Sequence, residues 1–194
     1  MKLSLRKQEI INKSEILFKE KGYSAVSMRD IATVMGMKAA SLYNHIKSKQ
    51  EILSIIILSL AENFTDGMEK IVKSEKSINE KLQDIISLHI QITIDHPSGM
   101  ASMNTDWMHL EEKLDYYIML RDGYEDNFRK LIIQGIKHKE ISDVNPEVML
   151  FSILSTLRSL YLWIPKKEDV SIKNLDVELS KVLLEGVINP KPVN

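Results

Sequence analysis

The chain has 194 residues, 44% of them hydrophobic and 27% charged, with 26 Lys and Arg against 27 Asp and Glu. That length allows one large domain, or a small one joined to a larger, and is ample for a buried core. With no cysteine, a disulfide scaffold, a thiolate zinc site and a cysteine nucleophile are excluded, and seven glycines and five prolines are too few for a loop-built β protein.

In chain order, the opening MKLSLRKQEI lacks the apolar stretch of a secretory leader, so a cytoplasmic protein is expected. In the first helix Ile10, Ser14, Leu17 and Phe18 share a face, and Gly22 supplies the stop after Lys21. Ser27 and Asp30 form a capping box for a short second helix whose inward face is Met28, Ile31, Ala32 and Met35. Gly36 breaks it, and a third helix is expected from about Lys38 to His45, with Leu42 and Ile46 inward. Ser48 and Glu51 read as a second box opening a long helix to about Lys73. The most lipid-like run of the chain, Ile52 to Leu60, lies in this helix and is nine residues long beside Glu51 and Glu62. A span needs roughly 20 residues, so this is a buried helical segment and no membrane partner is expected.

Ser77 and Glu80 repeat the capping device for a helix ending at His96-Pro97, followed by a Met-rich stretch. A long helix then runs from about Glu111 to His138, and Asn145-Pro146-Glu147 begins another that stops at Pro165. The last runs from about Lys173 to Val187, before a tail with Pro190 and Pro192. No alternating strand pattern of useful length appears, which makes the chain all-α.

Charge is split unevenly. Residues 1–50 hold ten Lys and Arg against four Asp and Glu, a net of +6, while the remainder has a net of −7. A basic block joined to an acidic one suggests that the first part meets a polyanion. Within it, residues 27–49 read SMRDIATVMGMKAASLYNHIKSK. Ala32, Gly36 and Leu42 are spaced as a helix-turn-helix requires: Ala32 small where the second helix crosses, Gly36 in a left-handed turn, Leu42 as anchor. That leaves Lys38, Ala39, Ser41, Tyr43, Asn44 and His45 facing outward on a helix fit for a major groove. Ser41 can donate to a base edge or a phosphate, while Tyr43 and His45 reach phosphate oxygens, which set register. Lys49 adds charge to the free N–H groups of a helix start, and Ser27 and Arg29 can do the same on the facing strand.

Residues 10–58 resemble the DNA-binding domain of TetR-family transcriptional regulators, on Phe18, Gly22-Tyr23, Ser27, Ile31-Ala32, Gly36-Met37, Ser41-Leu42-Tyr43, His45 and Lys49. Ala40 departs from the usual Gly or Pro, Ile46 from Phe, and Lys38 from a capping Ser. The resemblance implies a three-helix DNA-binding domain over residues 1–48 and a larger helical domain over 49–194 that binds an effector and dimerises. It also implies a homodimeric repressor on a palindromic double-stranded operator, released by a small molecule, with no cofactor.

For the dimer interface the candidates are the helices Pro146 to Ile164 and Lys173 to Val187. Ser152, Ser155, Thr156 and Ser159 form a ridge of small residues on the first, and Leu175, Leu179, Val182 and Leu183 an apolar stripe on the second. The alternative is that both pack within one subunit. Met100, Met103 and Trp107 lie at i, i+3 and i+7 with Met108 alongside, as a pliable ligand wall or as ordinary core. Arg121, among Leu114, Tyr117, Ile118, Tyr124 and Phe128, can neutralise an anionic ligand or pair with Glu125 one turn on. Effector-pocket candidates are therefore His89, Met100, Met103, Trp107, Tyr117, Arg121 and Tyr124. His89, His96, Asp106 and His109 have the residue types for Zn²⁺ or Ni²⁺, but nothing in the sequence fixes their distances, and no metal is assigned. A looser similarity of His96 to Trp163 to relatives governing lipid and acyl-CoA catabolism suggests an amphipathic or acyl-type effector.

Two other classes compete. A helical enzyme using the histidines and carboxylates of residues 89–115 lacks a thiol, a phosphate loop and a tight Ser/His/Asp motif. A helix-turn-helix protein answering to a protein partner would carry an apolar patch in place of a pocket.

Overall fold

The computed structural model describes residues 4–166 and 172–185. Every regular element among them is helical: α1 Leu5–Lys21, α2 Met28–Val34, α3 Ala39–Leu42, α4 Lys49–Lys73, α5 Ile78–Asp95, α6 Pro97–Thr105, α7 Leu114–Lys137, α8 Pro146–Trp163 and α9 Ile172–Leu184. Short 3-10 turns occupy Trp107–His109, Glu111–Lys113 and Ile164–Lys166. The all-α expectation holds.

Two compact units divide the chain. The described residues up to Glu62 join His96–Ile118 in one, and Asn63–Asp95 joins the described residues from Met119 onward in the other, so both boundaries in the long helices fall inside α4 and α7. In the first unit Ile10, Phe18, Ile31, Leu42, Ile46, Ile52, Leu53 and Ile57 are all but inaccessible, forming one apolar core, and α1 packs on α6. The second unit is centred on Met68, Leu82, Ile85, Phe128, Ile132 and Leu157, with α5 packed on α8 and α9.

Local chemistry sets the helix ends. The Ser4 hydroxyl accepts from Lys7 N at 3.3 Å to open α1, and Gly22 closes it at φ +81°. Ser77 and Glu80 exchange both bonds of their box before α5. The Ser48 box is only half made. Ser48 Oγ accepts from Glu51 N at 3.1 Å, but the Glu51 carboxylate takes Lys47 N and Lys7 Nζ, each at 2.6 Å, and so ties α1 to α4. Those partners hold the Glu51 carboxyl below its usual range against the opposing effect of burial.

Other expectations are corrected. The Met-rich stretch is a helix, α6, with Pro97 at its start. Its run Ser98, Gly99, Met100, Ala101 and Ser102 is buried without interruption, so it has no polar face from which a period could be read. A Cβ on Gly99 would stand 3.0 Å from Leu60 Cδ1 and 3.2 Å from Glu15 Oε2, so a larger residue here would require those side chains to shift by a few tenths of an ångström. Met108 leaves the expected wall and is 63% exposed, because the helix has already tightened into a 3-10 turn. Glu125, the partner expected for Arg121, is engaged by another helix. The Glu125 carboxylate takes Arg158 of α8, and Arg121 lies 3.5 Å from Asp122. On α9 Leu175 is buried with Ser180 and Leu184, so the outward residues are Val177 and Val182 rather than the full stripe. Val187, Pro190 and Pro192 lie outside the described residues. Finally, Ile52–Leu60 is not the most membrane-like segment: among the described residues Pro146–Lys166 is long and apolar enough to cross a bilayer, and only a third of its most apolar window is buried.

Candidate nucleic-acid interface

The interface is assembled from short elements that would not hold alone. At the start of α2 the Ser27 backbone N–H donates to Asp30 Oδ2 at 2.8 Å and Asp30 N donates to Ser27 Oγ at 3.2 Å. The Ser27 hydroxyl also donates to Asp30 at 2.5 Å, and these bonds hold the Asp30 carboxyl below its ordinary pKa. Ser27 is therefore committed to the cap. Gly36, at φ +63°, turns the chain, and Met37 N donates to Ala32 O at 3.0 Å to close the helix end. Ala32 is 3% exposed and Leu42 fully buried, which locks α3 against α2.

The third helix is shorter than its sequence suggests. Only Ala39–Leu42 is α-helical, and Lys38 provides no side-chain cap. The chain continues through turns, with Asn44 N donating to Ser41 O at 3.3 Å and His45 N to Leu42 O at 3.0 Å, before Ile46 buries. Lys38, Tyr43, Asn44 and His45 are exposed, Ala39 and Ser41 are half-buried, and Arg29 is exposed on α2. Buried Leu42 and Ile46 fix the backbone that carries the residues from 38 to 45.

Lys49 behaves differently from a free cation. Its ammonium donates to Tyr23 O at 2.8 Å and Val26 O at 2.7 Å, and lies 4.2 Å from the centre of the Tyr23 ring. Burial lowers its pKa, and the nearby Asp106 carboxylate opposes that shift. The side chain braces the α1–α2 connection.

Around this brace lies a network that sequence reasoning missed. Tyr23 Oη donates to Gln50 Oε1 at 2.6 Å, Gln50 Nε2 donates to the His109 carbonyl, and the His109 ring stacks on Tyr23 at 5.2 Å. In the sequence Tyr23 is legible only as the residue after a helix stop, and no spacing aligns residues 23, 50 and 109.

Effector candidates fall in both units. In the first, Met100 and Tyr117 are buried, Met103 and Trp107 half-buried, and the Trp107 and Tyr117 rings lie 5.9 Å apart. In the second, His89 and Tyr124 are buried and joined by a 2.8 Å bond between Nε2 and Oη, with the Phe64 ring 4.6 Å from the imidazole. Burial, aided by the Arg158 charge, pushes the His89 pKa down to about 3, so the ring is neutral at physiological pH, and burial raises that of Tyr124. Arg121 is half-buried on the same helix as Tyr124. Among the described residues no three His, Asp or Glu side chains gather as a metal ion would require.

Residues 10–55 match the family model described as bacterial regulatory proteins, tetR family, and residues 75–187 match that of the Tetracyclin repressor-like C-terminal domain. The chain is 22% identical over 188 residues to the HTH-type transcriptional repressor KstR2 of Rhodococcus jostii (strain RHA1), covering 95% of this chain and 92% of that one. It is 21% identical to the fatty acid metabolism regulator protein of Bacillus subtilis (strain 168), over 93% of this chain and 95% of the relative. The solved structure of the ketosteroid transcriptional regulator KstR2 of Mycobacterium tuberculosis superposes with a TM-score of 0.91 at 19% identity, covering 97% of this chain and 98% of the other, a likeness of fold.

Proposed function

Because the chain belongs to the TetR family of transcriptional regulators, we propose that it is a homodimeric repressor that leaves a palindromic operator when a small molecule binds. As a DNA-binding transcriptional regulator it is not an enzyme. The observation that carries the reading is the outward face of Lys38, Ala39, Ser41, Tyr43, Asn44 and His45 on a braced helix-turn-helix, within the stretch matched by the family's DNA-binding part. Residues 1–48 act as the reading head and 49–194 as the effector-binding and dimerising part. In the head, Lys38, Tyr43 and His45 take phosphates, Ser41 and Asn44 meet base edges, and Ala39 leaves room for close approach. Arg29 faces the other strand, while Ser27 holds the α2 start in register and Lys49 holds the brace with one N–H left for a phosphate.

Homodimerisation is supported by α8, which leaves Val148 55%, Phe151 73%, Leu162 52% and Trp163 41% exposed. Beside them run the exposed Ser152, Ser155 and Ser159, with Ser152 and Ser159 bonded to their own helix carbonyls, so a partner helix meets a ridge with few unmet donors. A cytoplasmic regulator covers such a face with a second copy of itself. As effector candidates, Met100, Met103, Trp107 and Tyr117 form one group within the first unit, and His89, Arg121 and Tyr124 another within the second. The names of two relatives, one for ketosteroids and one for fatty acid metabolism, favour an amphipathic or acyl-type molecule. Release requires that it bind the operator-incompatible form better, by roughly 5.5 kcal/mol to reverse occupancy from 99:1 to 1:99.

The test is selection of genomic fragments with the purified protein, then footprinting at physiological salt. A protected palindrome with half-sites about 10 bp or a multiple apart is the expected result. Absence of any protected site, before and after refolding the protein free of copurified ligand, overturns the proposal. On the recovered site, Tyr43→Phe should weaken binding equally for all sequences, whereas Ser41→Ala should relax discrimination at one position by about 1–3 kcal/mol.

A further inference from the structure

Two polar atoms are stranded on the buried face of α5. His89 is 4% exposed and Thr93 1%, yet neither His89 Nδ1 nor Thr93 Oγ1 has a hydrogen-bond partner among the described residues. They stand four residues apart on one helix, so their side chains are neighbours. Threonine on a helix usually satisfies its hydroxyl on the carbonyl one turn back, as Thr33, Thr105 and Thr156 do here. Thr93 does not, so its hydroxyl is spared for something else. A buried polar atom without a partner is costly, and native proteins seldom leave one unless a water or ligand meets it.

The surroundings define what that ligand group is. The other ring nitrogen of His89 is held by Tyr124 Oη at 2.8 Å, which fixes the ring's orientation, and Phe64 lies against it. The cation that acts on the ring, Arg158, is already paired with Glu125. A carboxylate or phosphate entering here would lose its hydration while Arg158 stays committed to Glu125. A neutral oxygen meets no such cost. A hydroxyl both donates to an imidazole nitrogen and accepts from a threonine, and a carbonyl accepts from both when Nδ1 carries the proton.

We propose that His89 Nδ1 and Thr93 Oγ1 form the polar anchor of the effector site, taking one uncharged oxygen, hydroxyl or carbonyl, on an otherwise apolar molecule. This rests on the reading that a small effector binds this part of the chain. It places any charged end of that molecule elsewhere and makes Thr93, which sequence reasoning did not select, a determinant of effector choice.

The test uses the full chain with ¹⁵N-labelled histidine and four probes matched in size: a bicyclic ten-carbon alcohol, its ketone, the parent hydrocarbon, and the corresponding carboxylate. The alcohol or ketone should shift the His89 ring resonances and bind about thirtyfold more tightly than the hydrocarbon, two hydrogen bonds' worth, with the carboxylate weakest. Thr93→Val, which keeps volume and removes the hydroxyl, should cut that preference to about fivefold while leaving hydrocarbon binding unchanged. His89→Phe should do the same if it folds. The proposal is overturned if the carboxylate binds best, if Thr93→Val retains the full preference, or if no probe moves the His89 resonances, as when a resident water fills the position. Failure of the operator footprint would instead strike the repressor reading and leave these spectra unaffected.

Discussion

Replacing Lys49 by Met separates two uses of one ammonium. The substitution keeps most of the apolar stem and deletes the charge that bonds to Tyr23 O and Val26 O at 2.8 and 2.7 Å and covers the Tyr23 ring. Hydrogen bonds from a charged donor are worth about 1.5–3 kcal/mol each when buried. Lys49 is half-buried and water can reach the vacated carbonyls, so the loss should be nearer 2 kcal/mol in total, a factor of about 30 in the folding equilibrium. The assay is paired. Urea unfolding followed through the tyrosine environment measures the brace, and operator affinity across a salt series measures phosphate neutralisation. A bracing lysine lowers stability by that amount, and the phosphate contact of its third N–H changes the slope of log affinity against log salt by no more than about 0.9. A phosphate clamp leaves stability intact, and its removal makes the slope shallower by about 0.9 for each phosphate no longer neutralised. The second pattern would refute the bracing role.

Three further outcomes follow from packing and charge. Since the folded His89 pKa lies at about 3, below the ordinary 6.5, the unfolded chain protonates first and stability drains away as pH falls through that window. Wild type should lose about 2 kcal/mol more between pH 7 and pH 5 than His89→Phe, and equal losses in urea unfolding would contradict a buried neutral ring. In α7, a Cβ at Gly135 would stand 2.5 Å from Ile141 Cδ1 and 2.9 Å from Ile78 Cγ2. Gly135→Ala should thus cost about 1–3 kcal/mol despite its better helix propensity, whereas Gly123→Ala, with nothing within 4 Å, should stabilise by up to about 1 kcal/mol. Phe151→Glu, at the most exposed apolar residue of α8, should abolish the proposed dimer in sedimentation velocity without lowering the helix content. A persistent dimer would move the interface off this face.

How much could be read in advance depended on whether a property was local. The caps at Ser27 and Ser77, the stop at Gly22 and the left-handed turn at Gly36 are bonds or dihedrals spanning a few residues, and they appear where the sequence put them. Amphipathic α1 and α5 were legible because each has one wet face. By contrast, the bounds of α6 were not legible beyond the i, i+3 spacing of Met100 and Met103, because Ser98 through Ser102 are buried on consecutive positions and burial on all sides weakens the period. Glu51 fitted a capping box by spacing, yet Lys7, 44 residues earlier, captured half of it. Glu125 was legible only as the carboxylate one turn from Arg121, yet Arg158, 33 residues later in α8, reaches it.

The sequence by itself thus determined the helical class, the helix-turn-helix and which of its residues face outward, because those follow from periodicity and short-range bonding. Which polar groups are spent and which are left over was decided only by the tertiary structure. The brace at Lys49, the Tyr23–Gln50–His109 network and the stranded atoms of His89 and Thr93 depend on partners that the chain brings together from distant positions, and no local spacing encodes whether a partner arrives.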